Sequence, residues 1–108
     1  MAKYLVQGSY TLDGVRGLIK EGGSARKAHF LENVSHLGGK VEAFYFAFGG
    51  SDVYGIVDLP DNVSSATLSL ALNAGGGFKS NVVVLISPEE IDQAAQKTAS
   101  VKYRPPGQ

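Results

Sequence analysis

The chain has 108 residues, a length that fits one domain built around a single core. Apolar residues make up 44% and charged residues 19%, which suffices for a packed core and differs from the composition of a disordered chain. Ten basic residues balance ten acidic ones, so no net field favours nucleic acid or an anionic membrane. The absence of cysteine excludes disulfides, thiolate metal sites and cysteine nucleophiles.

The hydropathy of the chain predicts neither a signal segment nor a membrane span. Residues 1–7 become polar before the apolar region of a signal peptide would form. No run approaches the roughly 18 apolar residues that a membrane helix needs. We therefore expect a cytoplasmic protein without a membrane partner.

The first elements predicted are a strand and a helix in two parts. Residues 3–10 are rich in Tyr and Val, which favours a strand. Thr11 is a suitable N-cap for the helix that follows. The glycine pair at 22–23 interrupts this helix, Ser24 restarts it, and the pair at 38–39 ends it.

A hairpin and a second helix are predicted next. Residues 41–48 hold four aromatics in eight positions, the strongest strand signal in the chain, and residues 53–59 form the return strand after a Gly-Gly-Ser-Asp turn. Ser64 or Ser65 opens a helix that ends at the glycines of 75–77.

The C-terminal part contributes a fourth strand and a short helix. Residues 78–86 are rich in Val, and Ser87 begins a capping box with Pro88 at the first helical position and Glu90 three residues after the serine. We assign residues 1–96 to one α+β domain and residues 97–108 to a tail or arm.

The element order predicts the fold class. Strand, helix, strand, strand, helix, strand with right-handed crossovers gives a ferredoxin-like βαββαβ fold, in which a four-stranded antiparallel sheet carries both long helices on one face. Alternation along residues 41–48 predicts Val41, Ala43 and Tyr45 on one side and Phe44 and Phe46 on the other. Both faces of the sheet are then largely apolar.

An apolar second face requires a cover, because two helices shield only one side of the sheet. We expect a second copy of the chain to provide it, by stacking the two sheets about a two-fold axis into a dimeric α/β barrel. The alternative is that the C-terminal helix folds back over the open face.

The two histidines form a stripe on the predicted second half of the first helix. His29 and His36 are seven residues apart, with Glu32 and Asn33 between them. A shared metal ion is one interpretation of this spacing. The apolar arc of Ala28, Phe30, Leu31, Val34 and Leu37 favours the other, a solvated histidine face, and we predict no metal and no cofactor.

A polar set among the apolar strands is the candidate ligand site. Its members are Gln7, Tyr10, Tyr45, Asp52 and Tyr54, with Asp58 on the return strand. Asp52 is the best candidate for a catalytic group, since a carboxylate beside tyrosines in a dry cleft can exchange a proton. Alternatively, the tyrosine hydroxyls reach the rim of the sheet and the aspartates serve turns.

Several segments in order resemble the GYD domain family, small bacterial and archaeal proteins of unknown function. They are residues 4–11, Gly14, Leu18, 37–40, 43–49, 52–61 and 77–80. The family signature corresponds to residues 49–52, where Asp52 carries over and Ser51 stands at the position of the expected tyrosine. The resemblance implies a dimeric α/β barrel and supplies no reaction, substrate or cofactor.

These observations predict a homo-oligomer that binds a small organic molecule. Simple proton-transfer or oxygen chemistry without a cofactor is compatible with the polar set, and whether the protein is an enzyme stays open. The alternative is a non-catalytic assembly or interaction module. The strand that carries Tyr54 has no basic neighbours, which argues against nucleic-acid binding.

Overall fold

A computed structural model describes residues 1–108 and contains one antiparallel sheet of four strands in the order β2-β3-β1-β4. The predicted ferredoxin-like α+β fold is confirmed. The strands are β1 (Ala2–Tyr10), β2 (Lys40–Phe46), β3 (Val53–Leu59) and β4 (Phe78–Leu85). The helices are α1 (Leu12–Glu21), α2 (Gly23–His36), α3 (Asn62–Ala74) and α4 (Pro88–Lys97), followed by a 3-10 turn at Thr98–Ser100.

The ends of the helices follow local capping chemistry. Gly22, with φ of +91°, separates α1 from α2, a backbone conformation that favours glycine. Helix α3 begins earlier than the serine pattern predicts, because the Asp61 side chain accepts a hydrogen bond from the Ser64 N–H at 2.8 Å. The capping box of Ser87 and Glu90 is present at α4. None of these helices combines the length and hydropathy needed to cross a bilayer.

The core lies between the sheet and the pair α2 and α3. Alternate residues of β1 and β3 face these helices, which contribute three buried apolar side chains. The cluster consists of Tyr4, Val6, Val57, Leu59, Phe30, Val34 and Leu68. Leu31 and Ala28, predicted to belong to the buried arc of α2, are exposed instead, and the buried residues of this helix are Phe30 and Val34.

A β-bulge in β2 makes the side chains of this strand alternate differently from the prediction. Val41 pairs with Val57, and Ala43 pairs with Ile56, the residue adjacent to Val57 in β3. Glu42 is therefore an extra residue in the ladder. Val41 therefore lies on the helix side together with Phe44, not with Ala43 and Tyr45 as strict alternation predicts.

The opposite side of the sheet, here called the open face, is uncovered in the single chain. An apolar row of Ala43, Ile56, Leu5 and Val83 crosses all four strands. It is flanked by a polar row of Tyr45, Tyr54, Gln7 and Asn81 and by a charged network in which the Lys3 ammonium contacts Asp58 at 2.9 Å and Glu42 at 3.1 Å.

The C-terminal segment leaves this open face exposed. Every residue from 88 to 108 is solvent-exposed. The radius of gyration is 17.4 Å, against about 13 Å for a compact chain of this size. The alternative in which the C-terminal helix covers the sheet of its own chain is therefore wrong.

Candidate functional site

The space between α2 and α3 forms a half-open cleft above the sheet, here called the helix–sheet cleft. Its volume is about 540 Å³, within the usual range for small-molecule sites. Most of its apolar lining comes from the sheet and from α3, with Leu18 of α1 and Phe30 of α2 adding to it. It includes Val6, Phe44, Val53, Phe78, Leu68 and Ala71.

Helix α1 forms a further wall of the cleft and is fixed at its N-terminus. The Thr11 N–H donates to the Gly77 carbonyl at 3.0 Å, and the Thr11 hydroxyl donates to the Gly76 carbonyl at 3.0 Å. Gly14 lies so close to Gly77 that an added Cβ would overlap the Gly77 carbonyl oxygen. One turn later, Gly17 also lines the cleft, and no atom lies within 4 Å of where its Cβ would stand.

Helix α2 supplies a polar wall. Arg26, His29, Asn33 and His36 all line the cleft, at spacings of three, four and three residues along one side of the helix. The histidines are exposed, as predicted, but they face the cleft beside Phe30 and not the solvent opposite the core. A helical wheel cannot distinguish these cases, because it does not show that α2 borders an unfilled space. Nowhere do three or more His, Cys, Asp or Glu side chains converge as a group that could hold a metal ion.

A second cavity of about 350 Å³ lies under the other side of α1. It is lined by Val15, Phe46, Phe48 and Asp52, and it shares Tyr10 and Leu18 with the helix–sheet cleft. Tyr10 and Leu18 thus stand between two adjoining cavities.

Asp52 makes hydrogen bonds with the backbone beside these cavities. Its Oδ2 accepts a hydrogen bond from the Tyr10 backbone N–H at 3.0 Å, and its own N–H donates to the Gly8 carbonyl at 2.8 Å. Its carbonyl accepts from the Ala47 N–H at 2.8 Å. Asp52 therefore joins the end of β1 to the β2–β3 turn, and it holds the backbone that carries the Tyr10 ring.

The five residues proposed from the sequence as a ligand site divide between the two faces of the sheet. Tyr10 and Asp52 lie at the cavities on the helix side. Gln7, Tyr54 and Tyr45 are paired in register on the open face, and Asp58 lies on the same face in contact with Lys3. The period of two along β1 already places positions 7 and 10 on opposite faces, so this separation was readable from the sequence.

Tyr10 is a half-buried polar group of the cleft. Its ring packs edge-to-face on Phe78 with centroids 5.0 Å apart. Burial raises the pKa of the Tyr10 hydroxyl above its ordinary value, and the nearby Arg26 guanidinium partly opposes this shift. Arg26, which the sequence reasoning missed, therefore belongs to the same site.

The raised pKa of Tyr10 predicts an alkaline dependence of stability. The fold favours the neutral phenol, so this contribution is present below about pH 10 and is lost as the pH rises through the folded-state pKa. We expect the stability of Tyr10→Phe to decline less steeply above pH 10 than that of the wild type, as measured by urea unfolding at a series of pH values. Equal slopes would contradict the assignment. Hydrogen bonds to Asp58 and Glu42 also raise the pKa of Lys3. The contribution of Lys3 to the alkaline loss of stability is the same in both proteins, so it does not affect the comparison.

The open antiparallel sheet, the two helices on one face and the ligand-sized cleft between them define a small α+β domain with a cleft on its helix side. The family model described as GYD domain matches residues 4–95. The chain therefore belongs to the GYD domain family. No curated protein and no solved structure matches the chain.

Proposed function

We propose that this GYD protein binds a small organic molecule in the helix–sheet cleft. The observation that carries the proposal is a cleft of about 540 Å³ with an apolar floor and one polar wall, the combination typical of small-molecule sites. The floor would contact the apolar body of a ligand, and the polar side chains of α2 would fix its orientation.

Side chains that line the cleft would exchange protons with a bound molecule. The ordinary pKa of a tyrosine is about 10 and burial raises that of Tyr10 further, so its hydroxyl is protonated at neutral pH and can donate a hydrogen bond. His29 lines the same cleft and belongs to the residue type that most often exchanges protons in enzymes. Asp52 acts on Tyr10 through the backbone hydrogen bond and is a positioning residue in this proposal. No cofactor is required for this chemistry.

A thermal-shift screen with small amphipathic organic molecules tests the binding proposal. A ligand selective for the folded state adds about 2.7 kcal/mol to stability at a hundred times its Kd, which raises Tm in a concentration-dependent manner. We expect compounds with an apolar body and one polar end to raise Tm. A screen in which no such compound changes Tm would contradict small-molecule binding.

The open face supports a second part of the proposal, that the protein forms a homodimer. Val83, a member of the apolar row, is 41% exposed in the single chain, and Tyr45 in the adjacent polar row is 71% exposed. Burying such a row is favourable by about 25 cal/mol per Å² of apolar surface. A second copy related by a two-fold axis would cover it with an identical apolar row.

The C-terminal segment offers further surface to the same partner. Helix α4 is amphipathic, yet its Ile91 is 52% exposed and no part of the chain buries it. Val101 and Tyr103 in the tail are also exposed. Contact with a second copy would bury these side chains and give the projecting arm a fixed position.

The alternative is a non-catalytic assembly module. The open face favours it, because this face alone accounts for self-association without any ligand. The two candidates differ in what they predict for the helix–sheet cleft: a binding protein loses function when the cleft is filled, whereas an assembly module does not.

A further inference from the structure

We infer that the ligand of the helix–sheet cleft is an organic monocarboxylic acid with an apolar body, its carboxylate held by Arg26. This inference rests on the proposed binding function and names the chemical class of the ligand. It follows from the distribution of charge and hydrogen-bond donors along the cleft.

The charged groups of the cleft are few and lie at one end. Arg26 and Glu21 are the charged residues of the lining, and no lysine or aspartate contributes to it. Further along the same side of α2, His29, Asn33 and His36 add nitrogen donors over about 10 Å of helix. The other walls are glycine, threonine and apolar side chains, so donors on α2 dominate the polar lining.

Glu21 leaves most of the Arg26 guanidinium available. A single contact joins the Arg26 Nη1 to the Glu21 Oε2, and at 3.4 Å it is long for a hydrogen bond. Exposed ion pairs of this kind contribute little to stability. A guanidinium has five N–H donors in a planar fork, which matches the two oxygens of a second carboxylate.

The position of Arg26 defines the orientation of the acid. The guanidinium lies near the Tyr10 hydroxyl, close enough to lower its pKa against the effect of burial, so Tyr10 can donate to the same carboxylate. The floor beside this end is formed by Val6, Phe44 and Val53. The carboxylate would thus lie at the Arg26 end, with the apolar body over the sheet toward Leu37 and Leu72.

Titrations with octanoate and with octan-1-ol, followed by isothermal calorimetry, test the inference. The two probes share an apolar chain and differ in the head group. We expect octanoate to bind about tenfold more tightly than octan-1-ol, because a charge-assisted bidentate contact replaces a neutral one. In Arg26→Gln, the affinity for octanoate should fall to that for octan-1-ol, and the affinity for octan-1-ol should be unchanged. Arg26→Lys should keep part of the difference in affinity.

The matched control is Lys27→Gln, which removes the same charge from an exposed position that does not line the cleft. It should leave both affinities unchanged. Equal affinities for acid and alcohol in the wild type, or an equal loss of both in Arg26→Gln, would overturn the carboxylate inference while the binding function stands. If neither probe binds, the proposed function fails as well.

Discussion

The substitution Gly17→Leu is expected to abolish ligand binding and to stabilise the protein. Gly17 lies on the side of α1 that lines the helix–sheet cleft, and no atom stands within 4 Å of where its Cβ would be. A leucine side chain there would occupy the space that a ligand needs. Because glycine inside a helix is about 0.8–1.0 kcal/mol less favourable than alanine and leucine is close to alanine, the free energy of unfolding should rise by about that amount.

The control for this substitution is Gly17→Ala. Alanine gives the same gain in helix propensity but adds a single methyl group, so the variant should be stabilised and should still bind. Urea unfolding and calorimetric titration with octanoate measure the two effects. Retention of wild-type affinity in Gly17→Leu would show that the ligand lies elsewhere, whereas a loss of stability would show that α1 is packed more closely than the structure indicates.

The substitution Ile56→Lys is expected to convert the proposed homodimer into a monomer. Ile56 lies in the apolar row of the open face, paired with Leu5 and Ala43. In a two-fold dimer each copy would place an unpaired ammonium group in the interface, which costs several kcal/mol of association free energy. The isolated chain leaves room for the lysine to reach water, so the fold should persist.

Light scattering at low micromolar concentration measures this change. The wild type should give twice the chain mass of 11.3 kDa and Ile56→Lys should give the single-chain mass. Leu70→Lys is the matched control, since Leu70 is 72% exposed on α3, on the opposite side of the sheet. A wild type of single-chain mass would contradict the homodimer, and a dimeric Ile56→Lys would place the interface on another surface.

The sequence predicted the order of the elements because its signals are local. Gly22 and the Ser87 capping box act within a few residues, and both are found where the pattern predicts. The bulge at Glu42 was not predicted, since an extra residue in a ladder is defined by its partner strand. It returns Val41 to the helix side, so the faces of β2 could not be read by alternation alone.

The candidate site was predicted only in part. Tyr10 and Asp52 were selected for their chemistry, and they meet at the end of β1. The polar wall of Arg26 and His29 was missed because it depends on α2 and α3 leaving a space between them, a tertiary feature with no local signal. Apolar spacing on a helix identifies the side that packs on the sheet, but not which polar neighbours border a void.

An NMR titration of the ¹⁵N-labelled protein with octanoate tests the central claim, that the helix–sheet cleft is a binding site. We expect saturable shifts of backbone amides confined to α1, α2, α3 and the strand residues beneath them, with Gly17 and His29 among the largest. Amides of the open face, such as Gln7 and Tyr54, should stay near their free positions apart from effects carried through the sheet. Shifts centred on the open face or on α4, or no saturable shifts, would contradict the claim.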